Sequence, residues 1–173
     1  MKTLGLAALL AVLPASAQPP EGTPPIQRYL GGLHLGDTLE DVQRIYPPAR
    51  KWPSYVEPRG RVMRIRVERD YAKSFPSAVQ TLWLGFSKGR LAEIQLVYDT
   101  RFSSKKPAEV IAGDLALIYG DPRHSNDKFW WSDGRTVLRV FYAELSALKD
   151  GAQSVELRTS IQILERGLFG RAD

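Results

Sequence analysis

Residue types that catalyse reactions occur together at one place in the sequence, His124-Ser125-Asn126-Asp127. A base, a nucleophile and an orienting group must converge from separate elements, and neighbours along one loop seldom reach that geometry. His34 lies between Leu33 and Leu35, where a hydrogen-bonded structural histidine is the expected role. We therefore predict no catalytic residues and no enzyme activity, with a small hydrolase that uses His34 or His124 as the remaining alternative.

Metal and cofactor chemistry has equally little support. The sequence has no cysteine, no His-x-x-x-His pair, no Gly-x-Ser-x-Gly motif and no phosphate-binding glycine loop. Asp37 and Asp41 together would suit a hard cation, but aspartate at the start of a helix is an ordinary cap. We predict no metal ligands and no cofactor.

The arginine run favours binding over catalysis. Arg64 and Arg66 alternate with Ile65 and Val67, so they share one face of a predicted strand. That face would hold an anionic partner such as a phosphorylated lipid or an acidic glycan. The alternative is a solvated face whose arginines pair with a cross-strand carboxylate such as Glu93.

Tryptophan is the second residue type that indicates binding, and it occurs at positions 52, 83, 130 and 131. Aromatic side chains on a sheet face, near arginines, dominate protein-binding hot spots and also stack on sugar rings. We predict that Trp131 lies in the core. For the tryptophans at 83 and 130, a place in the core and a place on the surface are both open. The predicted binding residues are Trp83, Trp130, Arg64 and Arg66.

Two segments have helical signals. Asp37 or Thr38 caps the first, and Pro47-Pro48 stops it. The second begins at Pro107 and runs to Tyr119, and Gly120 suits its C-terminal cap. The apolar stripes of the two helices consist of Leu39, Val42 and Ile45, and of Ile111, Leu115, Ile118 and Tyr119.

The rest of the chain alternates as strands do, which predicts an α+β fold: an antiparallel sheet of roughly five to seven strands with two short helices on one face. The predicted strands are 61–69, 79–86, 90–98, 128–131, 135–142 and 155–163. Two turns, 86–90 and 131–135, share the form aromatic-Ser-x-Gly-Arg and each follows a helix that ends in Ile-Tyr. These matches predict a tandem helix–hairpin repeat.

A three-residue loop in each hairpin fixes which residues share a face. In the first hairpin it pairs Leu84 with Ala92 and Leu82 with Ile94, and it places Trp83 on the opposite face with Glu93, Gln95 and Val97. In the second hairpin it groups Phe129 and Trp131 with Val137, Arg139 and Phe141, and Trp130 with Leu138, Val140 and Tyr142.

These stretches resemble the small periplasmic modules of the outer-membrane assembly lipoprotein family (SmpA/OmlA) and the tandem β-lactamase-inhibitor-like proteins. The resemblance lies in residues 35–42, in Tyr119-Gly120-Asp121-Pro122 and in residues 130–142, less than half of the chain. It implies short helices on one side of an antiparallel sheet whose other side binds protein partners. The chain lacks the lipid-bearing cysteine of the first family and the disulfides of the second.

The N-terminus predicts export. Met1-Lys2, the apolar run of residues 3–13 and Ala15-Ser16-Ala17 are typical of a cleavable signal peptide over residues 1–17, and the run is too short for a permanent anchor. Removing 17 of the 173 residues leaves 156 and takes Lys2, so the net charge falls from +5 to +4. We expect a proline-rich flexible leader at 18–28 and a single domain at 29–173.

Composition narrows the class of partner. A mild positive charge does not indicate nucleic acid, and without cysteine the exported chain has neither disulfides nor a lipid tether. We therefore predict a soluble periplasmic or secreted binding protein of the bacterial envelope. A protein partner on the aromatic sheet face is the first expectation, and a glycan or anionic lipid is the second.

Overall fold

The computed structural model describes residues 24–56, 62–149 and 152–167. The predicted signal peptide and most of the predicted leader lie outside the described residues. Within them the fold is α+β, as predicted, with an eight-stranded antiparallel sheet, a two-stranded sheet and helices. The large sheet has more strands than expected, because short strands at both of its edges carry no recognisable alternation.

The two-stranded sheet consists of β1 (Tyr29–Leu30) and β2 (Leu33–His34). The first half of the large sheet consists of β3 (Ser54–Val56), β4 (Met63–Glu68), β5 (Val79–Ser87) and β6 (Arg90–Tyr98). The second half consists of β7 (Arg123–Ser125), β8 (Lys128–Ser132), β9 (Thr136–Lys149) and β10 (Ala152–Glu165). The helices are α1 (Leu39–Ile45), α2 (Thr100–Lys105) and α3 (Ala108–Tyr119), with a 3-10 turn at Arg69–Tyr71.

The strand order of the large sheet is β3-β4-β5-β6-β10-β9-β8-β7. Each half therefore has four consecutive strands in a meander after a helical segment, which is α1 in the first half and α2 with α3 in the second. The last strands of the two halves, β6 and β10, pair antiparallel at the centre. A repeat is present, but its unit is a helical segment with four strands. The two similar turns do not correspond within it, because the first joins β5 to β6 and the second joins β8 to β9.

The helices form where their capping residues predict. Thr38 and Asp41 form a reciprocal capping box at the start of α1, and Pro107 and Gly120 flank α3. Ile118 is 59% exposed, so its predicted place in the apolar stripe is wrong. The buried stripe of α3 follows Ala108, Ala112 and Tyr119, and Ile118 lies beside it. The six-residue α2, capped by Asp99, has too little periodicity to be recognised.

The predicted three-residue loop between β5 and β6 gives the wrong strand register, but it assigns the side chains to the correct faces of the sheet. Ser87 pairs with Arg90 across a two-residue turn, in which Lys88 and Gly89 have φ angles of 49° and 76°. A register shift after Gly85 then makes Leu84 pair with Ile94 instead of Ala92. Because the turn and the shift together change the pairing by an even number of residues, Trp83 still lies on the predicted face.

The loop between β8 and β9 is longer than predicted, and here the face assignment is also wrong. Four residues, 133–136, connect the paired Ser132 and Val137. Trp131 therefore pairs with Leu138, and Trp130 pairs with Arg139. The Oδ1 atom of Asp133 accepts hydrogen bonds from the backbone N–H groups of residues 135 and 136, at 3.0 and 2.8 Å, and holds the wider turn.

The hydrophobic core lies between the helices and one face of the large sheet, which we call the apolar face. Fully buried side chains on that face include Leu82, Leu84, Ile94 and Val140, and Val42 of α1 packs in the same cluster. Trp131 belongs to this core, as predicted, and its Nε1 donates to the Gly120 carbonyl at 2.7 Å. Burying these side chains is the main source of stability in a chain without disulfides.

Packed residues occur before the predicted domain boundary at residue 29. Ile26 is only 3% exposed, and its backbone N–H donates to Asp133 Oδ2 at 2.9 Å. Contacts with the domain therefore extend to Ile26, within the segment assigned to the leader. No helix in the described ranges has the length and apolar character needed to cross a membrane.

Candidate binding face

The second face of the large sheet, which we call the polar face, carries the predicted binding residues. Strand pairing places Arg64, Arg66 and Trp83 on this face in the first half of the sheet, and Trp130 on it in the second half. α2 and α3 contact the opposite, apolar face, through Ser103 to Thr159 and through Ala108 to Tyr142. The predicted residues thus share one face, on which Arg66 is adjacent to Trp83 and Trp130 lies in the other half of the sheet.

One row of side chains runs across this face, perpendicular to the strands. Each member is the direct cross-strand partner of the next over seven of the eight strands. With strands about 4.8 Å apart, the row is about 29 Å long and its tryptophans are about 19 Å apart. Its members in order are Arg66, Trp83, Gln95, Gln162, Arg139, Trp130 and Arg123.

Trp83 lies near one end of the row and is half-buried. The Arg66 guanidinium lies 5.6 Å from its ring centroid, and Tyr55 meets it edge to face at a centroid distance of 6.2 Å. Arg66 also forms an ion pair of 2.5 Å with Glu68 on its own strand. The cation and the second ring hold the indole in place, with part of its surface exposed.

Trp130 has the corresponding surroundings near the other end. It is half-buried, and the guanidinium of Arg123 lies 5.1 Å from its ring centroid. Its opposite neighbour on β9 is Arg139. The row therefore has a tryptophan with an arginine against it near each end, and neither tryptophan is in the apolar core.

Between the tryptophans the polar face is mostly buried. Its buried polar groups, which we call the floor, lie beside Leu164 and Val137. Glu93 is 1% exposed and forms an ion pair of 2.8 Å with Arg64, and Gln162 Nε2 donates to its Oε1 at 2.5 Å. Gly85 lies between the strands of Arg64 and Glu93 and has no side chain to separate them. Arg64 is therefore part of the floor. Its pairing with Glu93 is the alternative that the sequence left open for this arginine.

Arg139 belongs to this face and was missed in the sequence. The three-residue loop assumption had assigned it to the face of Trp131, whereas the four-residue turn places it between Gln162 and Trp130. Burial lowers the pKa of the Arg139 guanidinium, and the negative charge of Glu93 opposes that shift. The sequence did contain one signal for Arg139, because it is the single charged residue in the otherwise apolar run of residues 137–141.

The two histidines considered for catalysis lie in different sheets. His34 is exposed on the two-stranded sheet against the Tyr29 ring, and His124 is exposed on β7 and stacks on Phe129. The hydroxyl and backbone N–H of Thr38 hold the pKa of Asp41 below its usual value, as its capping role requires. Among the described residues, no three acidic or histidine side chains are placed to share a metal ion.

Comparison with protein-family models, with curated proteins and with solved structures finds no match for this chain. The resemblance to the outer-membrane assembly lipoprotein and β-lactamase-inhibitor-like modules stays a prediction. Function must therefore be argued from the polar face itself.

Proposed function

We propose that this chain is an exported, non-enzymatic binding protein of the bacterial envelope, and that it captures a protein partner on its polar face. The observation that supports this proposal most directly is the cross-strand row, with a tryptophan and an arginine near each end. Tryptophan and arginine are the residues most enriched in the hot spots of protein interfaces. Because Trp83 and Trp130 are half-buried, their exposed ring surface is already held in place, and little side-chain entropy is lost when a partner binds.

The size of the row favours a protein over a small ligand. A single sugar ring or lipid headgroup is recognised by one aromatic side chain and its neighbours, whereas these tryptophans are about 19 Å apart. A standard protein interface buries about 800 Å² on each partner and surrounds a central cluster with a rim. A row about 29 Å long, with exposed arginines at its ends, is comparable to the width of an interface of that area.

The proposal is tested by exchanging both tryptophans for alanine. Purified protein recovered from a bacterial periplasm is expected to begin at Gln18, and immobilised wild type should retain a discrete envelope protein from an extract. Trp83→Ala with Trp130→Ala should lower that retention at least tenfold, because hot-spot tryptophans contribute about 2 kcal/mol or more. Leu117→Ala is the matched control, since Leu117 is 89% exposed on α3, on the other side of the molecule.

Three results would contradict the proposal. One is undiminished retention by the double variant, and another is global unfolding, which would make both tryptophans structural. The third is binding to purified cell-wall glycan or phosphatidylglycerol vesicles, weakened by salt, without retention of any protein. That result would support the second expectation, a glycan or lipid module on the same face.

A further inference from the structure

We propose that the polar face recognises an acidic side chain of its protein partner, whose carboxylate pairs with Arg139 beside Trp130. This inference rests on the proposed function and specifies the chemistry of the partner. It is carried by three observations: the state of Arg139, the pairing of the other charges on the face, and the buried amide of Gln162.

Arg139 is a half-buried cation that forms no direct ion pair in the described part of the chain. The negative charge of Glu93 acts on it, but the ion pair of that carboxylate is with Arg64. Among the residues that the structure describes, its side chain has no hydrogen bond and no ion pair, although it lies between Gln162 and Trp130. Removing a guanidinium from water without a partner is costly, and the lowered pKa reports the same cost. A half-buried cation without a direct ion pair is typical of a site in which the ligand supplies the anion.

The carboxylates on this face are already neutralised by other arginines. Glu93 pairs with Arg64, Glu68 with Arg66 and Glu156 with Arg158. In the described part of the chain, no carboxylate forms an ion pair with Lys128, Arg123 or Arg139. The half of the face on β7 to β9 therefore has an uncompensated positive charge, to which an acidic segment is complementary.

Gln162 is buried directly opposite Arg139. Its Nε2 donates to Glu93 Oε1 at 2.5 Å, so the Glu93 carboxylate is held by Gln162 as well as by Arg64. The carboxylate that would pair directly with Arg139 beside Trp130 is therefore the one that a partner supplies.

The test uses a phage-displayed library of disulfide-closed random peptides, selected on the immobilised full-length protein. Selected peptides that depend on Trp83 and Trp130 should be enriched in aspartate or glutamate. Arg139→Gln should weaken binding of those peptides at least tenfold, in line with loss of a charge-assisted hydrogen bond. Arg101→Gln, the same exchange at an exposed residue of α2, should leave their affinity unchanged.

A structural role for Arg139 would give a different result. If the guanidinium awaits a partner, Arg139→Gln should keep the melting temperature within about 3 °C of wild type or raise it, since one unpaired buried charge is removed. A much lower melting temperature would overturn the inference. The same conclusion would follow from peptides without acidic enrichment or from equal affinity for the variant, and both results would leave protein binding intact.

The remaining outcomes concern the proposed function. If no selected peptide depends on Trp83 and Trp130, protein binding by the polar face fails, and this inference fails with it. If polygalacturonate or phosphatidylglycerol vesicles bind with the same dependence on Arg139 while the peptides do not, the anion is a glycan or a lipid and the inference is wrong.

Discussion

Gly85 provides the space in which a fully buried carboxylate meets its arginine. A Cβ atom at this position would lie 2.8 Å from Glu93 Oε2, 2.9 Å from Glu93 Cβ and 3.2 Å from Val62 Cγ1. Breaking a buried ion pair leaves uncompensated charge, which costs several kcal/mol more than the pair itself contributes. The polar floor therefore depends on a residue that makes no polar contact through its own side chain.

Gly85→Ala is expected to lower the free energy of unfolding by about 1–3 kcal/mol, because the added methyl group overpacks the site and displaces Glu93. Urea denaturation measures the change. Gly113→Ala is the matched control: it adds the same atom on α3, where nothing lies within 4 Å. It should raise the free energy of unfolding by about 0.5–1 kcal/mol, through helix propensity alone. Equal effects of the two exchanges would show that the floor is not packed as described.

Strand pairing and turn chemistry explain what the sequence could and could not predict about this site. Alternation along β4 correctly indicated that Arg64 and Arg66 share a face, and strand pairing places Trp83 on the same face. It could not indicate how the faces of the two strands of a hairpin match, because that depends on the number of residues in the turn between them. Trp130 and Arg139 were separated for this reason alone. No pattern in the sequence indicated that β6 and β10 pair, so the full row was out of reach.

The two turns of the form aromatic-Ser-x-Gly-Arg show how one residue selects the turn. With Lys88 at the variable position, two residues connect paired strands and both adopt positive φ angles. With Asp133 there, a carboxylate oxygen accepts two backbone N–H groups and the loop widens to four residues. The Asp133 side chain stabilises the wider turn, and the length of that turn places Trp130 opposite Arg139.

Lys88→Asn is expected to raise the free energy of unfolding by about 0.5 kcal/mol. Lys88 has a φ of 49°, a left-handed conformation that is unfavourable for lysine and easier for asparagine, and Asn-Gly is the preferred pair for such a hairpin turn. Thermal or urea unfolding measures the gain. Lys51→Asn, at an exposed residue outside any helix or strand, controls for the lost charge. A decrease specific to Lys88→Asn would contradict the two-residue turn.

At the scale of the whole molecule, the first described residues connect the two halves of the sheet. Ile26 donates its backbone N–H to Asp133 in the β8–β9 turn, and Arg28 pairs with Glu165 at the end of β10. The chain then returns through the two-stranded sheet to α1, in the first half. The N-terminal segment therefore links the two halves of the sheet, in addition to the central pairing of β6 with β10. We call this link the N-terminal tie.

Asp133 makes this tie dependent on pH. Partial burial alone would raise the pKa of its carboxyl, but hydrogen bonds from the backbone N–H groups of Thr136, Arg135 and Ile26 outweigh burial and lower it below the usual value. A depressed pKa means that the folded state binds the proton less tightly than the unfolded state. The resulting stability is present above the unfolded pKa of about 3.9 and is lost as pH falls through the folded pKa.

Asp133→Asn is therefore expected to lower the free energy of unfolding by about 1 kcal/mol at pH 7, because an amide cannot accept from all three N–H groups as the carboxylate does. The gap between wild type and variant should close as pH falls below the folded pKa of Asp133, since the wild-type side chain is then also neutral. Urea denaturation of both proteins at neutral and acidic pH measures the gap. Asp114→Asn, at an exposed site on α3 that pairs with Lys106, provides the control and should show a smaller gap at pH 7. A gap for Asp133→Asn that stays constant across this range would mean that the N-terminal tie does not depend on the carboxylate charge.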